Sequence, residues 1–357
     1  MTKRLLLLNG LAVLMVPLHH ATAFGLQAMF DWTYRYRPVS VPNYDQLGSL
    51  SYIITMAIRQ LDGFAIPAFL FVSGFFLAFL ARGKELTLST VTPRIKVLIL
   101  PLAIWLVLRF LVLRRPPDSI YETLDTYYYL ILLIQYYLLA LLIVPAARKN
   151  WKLLLILTAG IQIVSESPLY FRTIGIDFPG LTYLGVLTPR WFFPSRIFYF
   201  ALGVVAGMNI QAFKAWVTRH RWVLLGILIA SAVLSFVEYN FIGTLSGKIW
   251  IGPNNPGLAR LVYATTFGLC FLGFGDLELP FSRAVEYLGT RSLGIYLVNV
   301  PTMYIAAVLI FKFIPSLLGM QWIYQPVLVV VGIGAPLLLM EVTRRSPLRR
   351  GYRFLFG

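Results

Sequence analysis

Long apolar runs separated by short polar segments fill the whole chain. A helix needs about 20 apolar residues to cross a bilayer, and most of the runs reach about that length. The pattern predicts ten membrane-spanning helices, at 5–27, 52–81, 94–113, 127–147, 152–168, 191–211, 222–243, 257–275, 286–311 and 322–343. The sequence therefore predicts an all-α, polytopic membrane helical bundle, built as one integral-membrane domain over residues 1–357.

The second predicted span departs from the uniform apolar pattern. It contains residues that are polar or that disfavour a continuous helix, namely Arg59, Asp62, Gly63 and Pro67. We expect its outer part to be broken or re-entrant. Further along the same span, Ser73-Gly74 predicts a close helix contact, because small residues let helices approach each other.

Composition agrees with a membrane protein. The 357 residues are 59% hydrophobic and 13% charged, whereas soluble domains carry about 25% charged residues. The net charge of +17 is explained by basic residues on the cytoplasmic side of membrane helices, so no nucleic-acid partner is expected. The single cysteine, Cys270, excludes an intrachain disulfide. The sequence has no spacing typical of zinc ligands, and no bound metal is expected.

The distribution of Lys and Arg predicts the orientation in the membrane. With the N-terminus inside, 19 of the 31 basic residues fall in cytoplasmic segments, and an even number of spans agrees. Both termini are therefore expected in the cytoplasm. Residues 2–23 also resemble a secretory signal ending at Ala21-Thr22-Ala23, but cleavage there would leave an odd number of spans. We interpret the segment as a true helix.

Two histidines, His19 and His20, end the first apolar run. An imidazole is costly against lipid and usually faces a protein interior. Eleven residues make about three helical turns, so His20 projects in nearly the same direction as Asn9, while His19 lies roughly a quarter-turn away. His20 is a candidate general base, since neutral imidazole is the commonest base near neutral pH. The alternative is an inert histidine at the headgroup interface.

Four motifs resemble the acyltransferase 3 family of bacterial membrane O-acyltransferases. Segment 5–12, LLLLNGLA, aligns with a family run such as LDGLRGLA, and the family's histidine then falls on His20. The other motifs follow in family order: the Phe-rich Ser-Gly-Phe segment 67–76, the basic pair ahead of a proline in 94–101, and the Ser-x-x-Ile-Tyr-Leu signature in 288–297. The resemblance covers nearly the whole chain.

The sequence also departs from the family pattern. Leu6 and Asn9 stand where the usual motif has Asp and Arg, and Asn299 stands where many members have histidine. Lys96 is the nearest candidate for the second basic residue before Pro101. These differences concern the acceptor and the subfamily, and they leave His20 in place.

The resemblance implies a multi-pass enzyme of the bacterial inner (plasma) membrane that transfers an acyl group, acetyl by default, from cytoplasmic acyl-CoA. The acceptor would be a hydroxyl of a cell-surface polysaccharide or a lipid-linked glycan. His20 would act as general base or would carry the acyl group as an acyl-histidine. The CoA phosphates would bind Arg94, Lys96 and Arg82, which otherwise anchor loops at the cytoplasmic surface. No tightly bound cofactor is expected.

Further polar residues are candidates for the acceptor site. Arg59 and Asp62 are three residues apart and can pair on a helix, either structurally or as an acceptor and oxyanion site. Gln135 and Tyr136 either contact a sugar or form a packed polar anchor. Arg196 either binds an anionic or sugar acceptor or anchors its helix at the interface.

Two other classes of function stay open. A transporter or flippase for a glycan or lipid would use His20, Arg59 and Asp62 to line its path. A structural membrane scaffold would make His20 silent. Consumption of acyl-CoA separates a transferase from both, because a transporter moves its substrate without consuming a thioester. The sequence favours no oligomeric state.

Overall fold

The computed structural model describes residues 1–81, 85–113, 119–176, 178–246 and 257–357. Within these ranges the regular structure is entirely helical, which confirms the predicted all-α class. The α-helices are α1 (Thr2–Phe30), α2 (Leu50–Leu61), α3 (Ala65–Leu80), α4 (Leu88–Leu113), α5 (Ile120–Thr126), α6 (Tyr128–Thr173), α7 (Pro179–Leu187), α8 (Ile197–Met208), α9 (Ile210–Arg219), α10 (Arg221–Ser246), α11 (Leu258–Gly273), α12 (Ser282–Gly289), α13 (Ser292–Phe313), α14 (Gln321–Arg345) and α15 (Tyr352–Phe356). Short 3-10 helices lie at Thr33–Arg35, Tyr44–Gln46, Asp62–Phe64, Phe193–Arg196, Pro315–Gly319 and Pro347–Gly351.

Many of these helices have the length and hydropathy of membrane spans. In the described ranges, seven are long and apolar enough to cross a bilayer: α1, the α2–α3 segment, α4, α6, α10, α13 and α14. The segment ending in α8 and α9 is an eighth candidate, bent by 109°, and α11 is a shorter apolar helix. The multi-span helical class is confirmed. The count of ten crossings and the cytoplasmic termini stay predictions.

The second predicted span is broken, as expected. α2 gives way to a 3-10 turn at Asp62–Phe64 before α3 begins. Pro67 lies in the first turn of α3, where its missing N–H costs no helical hydrogen bond. The break leaves Arg59 in the last turn of α2 and puts Asp62 at the C-cap.

Helix α6 carries two predicted spans, 127–147 and 152–168. Its 46 residues make about 69 Å of helix, more than twice the roughly 30 Å hydrocarbon core. The φ and ψ angles of Asn150, −156° and 88°, are not helical and break the helix. The Asn150 side chain then accepts a hydrogen bond of 3.1 Å from the Leu153 N–H, as an N-cap residue does. The break lies in the basic segment 148–152, where the sequence predicts a cytoplasmic turn.

The chain divides into two compact units. Unit 1 comprises Met1–Asn9, Gly63–Ile99 and Asp118–Arg283. Unit 2 comprises Gly10–Asp62, Leu100–Pro117 and Ala284–Gly357.

Unit 1 contains a close contact between α3 and α8. A Cβ atom on Gly74 would lie 2.3 Å from the Phe200 carbonyl oxygen, and one on Gly203 would lie 2.1 Å from the Phe71 carbonyl oxygen. Because no Cβ fits at these distances, only glycine lets the two backbones approach this closely. The predicted close contact at Ser73-Gly74 is confirmed.

Unit 2 packs α1 against α13 and α14. Its fully buried core includes Ala21 and Ala28 of α1, Met303 and Ala307 of α13, and Leu328 of α14. This packing fixes the rotation of α1 and therefore the directions in which its two histidines point.

Candidate active site

A hydrogen-bonded cluster in unit 2 surrounds His19. The Nδ1 atom of His19 lies 3.0 and 2.9 Å from the two carboxylate oxygens of Asp62. An ionised carboxylate only accepts hydrogen bonds, so Nδ1 carries the proton. The Nε2 atom lies 3.2 Å from Nη2 of Arg59, and a guanidinium only donates, so Nε2 is the acceptor. The two neighbours therefore favour a neutral imidazole in its Nδ1-protonated tautomer.

Three hydrogen bonds join Arg59 to α1. In addition to the bond to the His19 ring, Nη1 donates to the His19 backbone carbonyl and to the Thr22 hydroxyl, both at 3.0 Å. The Thr22 hydroxyl donates in turn to the same carbonyl at 2.7 Å. Thr22 is not among the site residues that the sequence predicts. The sequence feature that could have identified Thr22 is its position three residues after His19, on the same side of the helix.

The charged members of this cluster are buried. Arg59 exposes 3% and Asp62 4% of its surface, whereas 30% of the His19 side chain is exposed. A buried guanidinium or carboxylate is costly alone, and opposite charges on two sides of one imidazole offset much of that cost. The cluster is thus balanced in charge, and of these three side chains the histidine is the most accessible.

His20 lies beside the cluster on α1. Its ring centroid is 5.7 Å from that of His19, with the ring planes at 80°, and the residue is half-buried. Consecutive residues point about 100° apart around a helix, so the two histidines project in different directions from α1. The structure brings Arg59 and Asp62 together, and it brings them to His19. The catalytic role of His20 stays a prediction.

A second polar layer in unit 2 lies one turn earlier along α2, at Thr55. The Thr55 hydroxyl accepts a hydrogen bond of 2.9 Å from Nε2 of Gln325, which also donates to Oε1 of Gln321 at 3.0 Å. A Cβ atom on Gly25 of α1 would lie 2.4 Å from the same Nε2 atom, so a larger residue here would displace the Gln325 side chain. The sequence analysis missed these residues. Two glutamines four residues apart in an apolar helix are the signal that could have found them.

Arg94 in unit 1 lies inside α4. The sequence analysis has this helix begin at Arg94, which is wrong, because α4 begins at Leu88. Helix formation extends into the polar segment 87–92, which the apolar pattern had excluded. The free N–H groups of the first turn of α4 therefore lie earlier in the chain than Arg94. The Arg94 side chain interacts with the hydroxyl of Tyr137, which also interacts with Ser73.

Of the other two predicted CoA-binding residues, the structure describes one, Lys96. Lys96 is exposed on α4, where a long cationic side chain has room to move. Arg82 lies outside the described residues. Binding of acyl-CoA by Arg94, Lys96 and Arg82 stays a prediction.

Gln135 and Tyr136 bind the backbone of the segment that precedes α8. Nε2 of Gln135 donates to the Trp191 carbonyl at 2.7 Å, and its Oε1 accepts from the Phe193 N–H at 3.0 Å. The Tyr136 hydroxyl donates to the Phe193 carbonyl at 2.7 Å, and its buried ring stacks on Phe200. These contacts agree with a packed polar anchor. Contact with a sugar stays a prediction.

Arg196 belongs to a charged group in the same part of unit 1. Its guanidinium carbon lies 6.0 Å from the ring centroid of Tyr128, and Glu166 interacts with it electrostatically. Arg190 lies 4.8 Å from the same ring and makes a two-pronged ion pair with Asp125. Burial opposes the charge on Arg190, but the Asp125 carboxylate outweighs it, so the pKa of Arg190 lies above its ordinary value. Acceptor binding by Arg196 stays a prediction.

The class of protein follows from these observations: a multi-span helical membrane protein that holds an Asp–His–Arg cluster inside one of its units. A family model described as an acyltransferase domain, that of acyltransferase 3, matches residues 4–341. The chain therefore belongs to the acyltransferase 3 family, and the resemblance drawn from the four motifs is confirmed.

Among curated proteins, the chain is similar to one from Bacillus subtilis (strain 168) named "Putative membrane-bound acyltransferase YfiQ". The two are 29% identical over 120 residues, which cover 33% of this chain and 31% of that protein. The similarity thus spans about a third of the length of the curated relative. No solved structure matches the chain.

Proposed function

We propose that the protein is a membrane O-acyltransferase. It transfers an acyl group, acetyl in the simplest case, from cytoplasmic acyl-CoA to a hydroxyl of a cell-surface polysaccharide or lipid-linked glycan. Family membership supports the reaction class. The observation that carries the proposal is the buried Asp62–His19–Arg59 cluster next to His20. A helix that only spans lipid gains nothing from such costly groups, so their presence supports a chemical role.

His20 acts as the general base in this proposal. It accepts the proton of the acceptor hydroxyl while the hydroxyl oxygen forms a bond to the thioester carbonyl carbon. The C–S bond then breaks, and the proton passes from the imidazolium to the CoA thiolate. In the alternative order, the imidazole attacks the thioester first, CoA leaves, and the hydroxyl takes the acyl group from the acyl-histidine.

His19 has a positioning role. Both of its ring nitrogens are engaged, Nδ1 by Asp62 and Nε2 by Arg59, so it would accept a substrate proton only after Arg59 moved away. It holds the Arg59 guanidinium at a fixed place next to the base. A fixed cation there stabilises the negative charge that develops on the carbonyl oxygen in the transition state.

The donor is bound on the cytoplasmic side. We place both termini in the cytoplasm and the protein in the bacterial inner membrane, on the distribution of its basic residues. Arg94, Lys96 and Arg82 bind the CoA phosphates. The interaction with Tyr137 supports this role for Arg94, because it connects the guanidinium to a neighbouring helix of unit 1.

The test is acyl transfer by the purified, full-length protein. Radiolabelled acetyl-CoA is supplied with a panel of surface glycans, and label in the glycan is measured. His20→Ala is expected to lower transfer by about a hundred- to ten-thousandfold, with folding and acetyl-CoA binding retained. His19→Ala is expected to keep more activity than His20→Ala.

His220→Ala is the matched control. His220 lies beyond the end of α9 in unit 1, where Nδ1 contacts the Trp216 carbonyl at 2.8 Å, and its loss should leave transfer unchanged. Full activity in His20→Ala, or no label in glycan or protein with any acyl-CoA, overturns the proposal. Movement of a glycan or lipid across vesicles without thioester consumption would instead support a transporter or flippase.

A further inference from the structure

Unit 1 contains a large cavity that the proposed reaction does not use. Its volume is about 970 Å³, at the upper end of the roughly 300–1,000 Å³ typical of small-molecule sites. Its walls come from the end of α3, the broken part of α6, the bend between α8 and α9, and α11. The 109° bend between the α8 segment and α9 opens the space between these helices.

The interior of the cavity is apolar. Small residues form much of its wall, including Ala78, Ala81 and Ala147, and leucine, valine and methionine side chains complete it. Arg148 and Asn209 are the polar side chains among the lining residues apart from the indole groups. An apolar lining of this size suits a hydrocarbon chain, because a sugar or a nucleobase would leave its polar groups without partners.

The rim of the cavity is basic and aromatic. Arg148 lies at the rim, where its Nη2 donates to the Ala81 carbonyl at 2.8 Å. The two wall segments 147–155 and 209–219 carry five Lys or Arg residues and no Asp or Glu. Trp151 and Trp216 line the same space and are 45% and 48% exposed. Tryptophan and basic side chains together are typical of a membrane–water interface.

We infer that this cavity binds an anionic phospholipid, with one acyl chain inside and the phosphate at Arg148. Charge complementarity selects the headgroup, because Arg148 lines the cavity and the two wall segments carry five cationic and no anionic residues, a composition that attracts anionic lipids over zwitterionic ones. In the orientation proposed above, the basic rim faces the cytoplasmic leaflet. The inference does not depend on acyl transfer, and its test measures lipid binding alone.

Tryptophan fluorescence gives a direct test, since bromine on an acyl chain quenches a nearby indole. The full-length protein is reconstituted in phosphatidylcholine vesicles, and brominated phosphatidylglycerol is compared with an equal fraction of brominated phosphatidylcholine. We expect stronger quenching by phosphatidylglycerol. The Trp151→Phe/Trp216→Phe variant should lose this difference, because the other five tryptophans that the structure describes lie outside the cavity lining.

Two matched variants test the headgroup contact. Arg148→Gln is expected to lower the apparent affinity for phosphatidylglycerol relative to phosphatidylcholine by about fivefold, and Arg148→Lys is expected to retain most of it. Ala212→Phe, which fills the cavity from the exposed side of α9, should weaken quenching by both lipids. Circular dichroism and elution as a single species check that each variant is folded.

Three outcomes would overturn the inference. The first is equal quenching of the wild-type protein by the two lipids. The second is a difference that survives in the double tryptophan variant, which would place the lipid elsewhere. The third combines two results: micromolar palmitoyl-CoA relieves the quenching, and Arg148→Gln leaves the lipid affinity unchanged. Together they would show that the cavity binds an acyl donor.

Discussion

Each unit of the protein contains a group of buried polar side chains, and the two groups use their hydrogen bonds differently. In unit 2, His19, Arg59 and Asp62 bind one another through their side chains. In unit 1, Gln135 and Tyr136 bind backbone groups of residues 191–193. The first arrangement fixes charged and reactive groups in relation to each other. The second satisfies a stretch of irregular backbone.

The two patterns of hydrogen bonding indicate two different roles. The contacts in unit 1 support the backbone, whereas those in unit 2 arrange charged groups for a chemical role. Backbone groups outside regular helices need partners when they are buried, and an amide or a hydroxyl on a neighbouring helix supplies them. That need fully accounts for the contacts of Gln135 and Tyr136. It does not account for a buried carboxylate and guanidinium on either side of an imidazole, which costs desolvation energy and is retained where a defined charge arrangement has a use.

The largest effect is expected from Asp62→Asn. The amide removes the buried negative charge and leaves Arg59 without its counterpart across His19, at a cost of about 3–5 kcal/mol in stability. Because the imidazole and the guanidinium also lose their orientation, we expect kcat to fall at least about a hundredfold. Glu341→Gln, which removes exposed ion pairs to Arg344 and Arg345, is the control and should change neither quantity measurably. If Asp62→Asn kept kcat within about fivefold of the wild-type value, the cluster in unit 2 would have no chemical role, and the contrast between the two units would not hold.

Gly203→Ala tests the supporting role of unit 1. The added Cβ would lie 2.1 Å from the Phe71 carbonyl oxygen, so α3 and α8 must separate, and we expect a loss of about 1–3 kcal/mol. Gly226→Ala on α10 is the matched control. Nothing lies within 4 Å of its added Cβ, so this substitution should leave the stability unchanged or raise it slightly. Thermal unfolding in detergent measures both. Equal behaviour of the two variants would show that α3 and α8 do not need their close contact.

Arg94→Ala asks whether unit 1 also contributes to substrate binding. If the guanidinium held by Tyr137 binds a CoA phosphate, its removal should raise KM for acyl-CoA about tenfold with a smaller change in kcat. Lys96→Ala, at an exposed position two residues away, should have the smaller effect. An unchanged KM in Arg94→Ala would leave Arg94 with a packing role alone.

The smallest effect is expected from Tyr136→Phe. The variant loses one hydrogen bond to the Phe193 carbonyl and keeps the buried ring, so stability should fall by about 1 kcal/mol. Because the hydroxyl serves the backbone, kcat and the KM for the acceptor should stay at the wild-type values. A large rise in the acceptor KM would instead show that Tyr136 contacts the sugar, as the sequence left open.

Several features of the fold and the site could be predicted from local sequence. The apolar runs located the helices, and Asp62, Gly63 and Pro67 marked the break in the second span. The same pattern placed the start of α4 six residues too late, because a helix can continue into polar residues that no longer face lipid. Two of the partners of Gln135, Trp191 and Phe193, lie more than 50 residues away in the chain, and no local pattern contains that information.

The sequence by itself determined that this chain is a helical membrane protein of the acyltransferase 3 family. The bilayer imposes a length and an apolar composition on each span, and the motifs keep their order along the chain. Only the tertiary structure decided that Asp62 and Arg59 meet at His19. Adjacent residues on a helix point about 100° apart, so this contact depends on how α1 is rotated. That rotation is set by packing between helices distant in sequence.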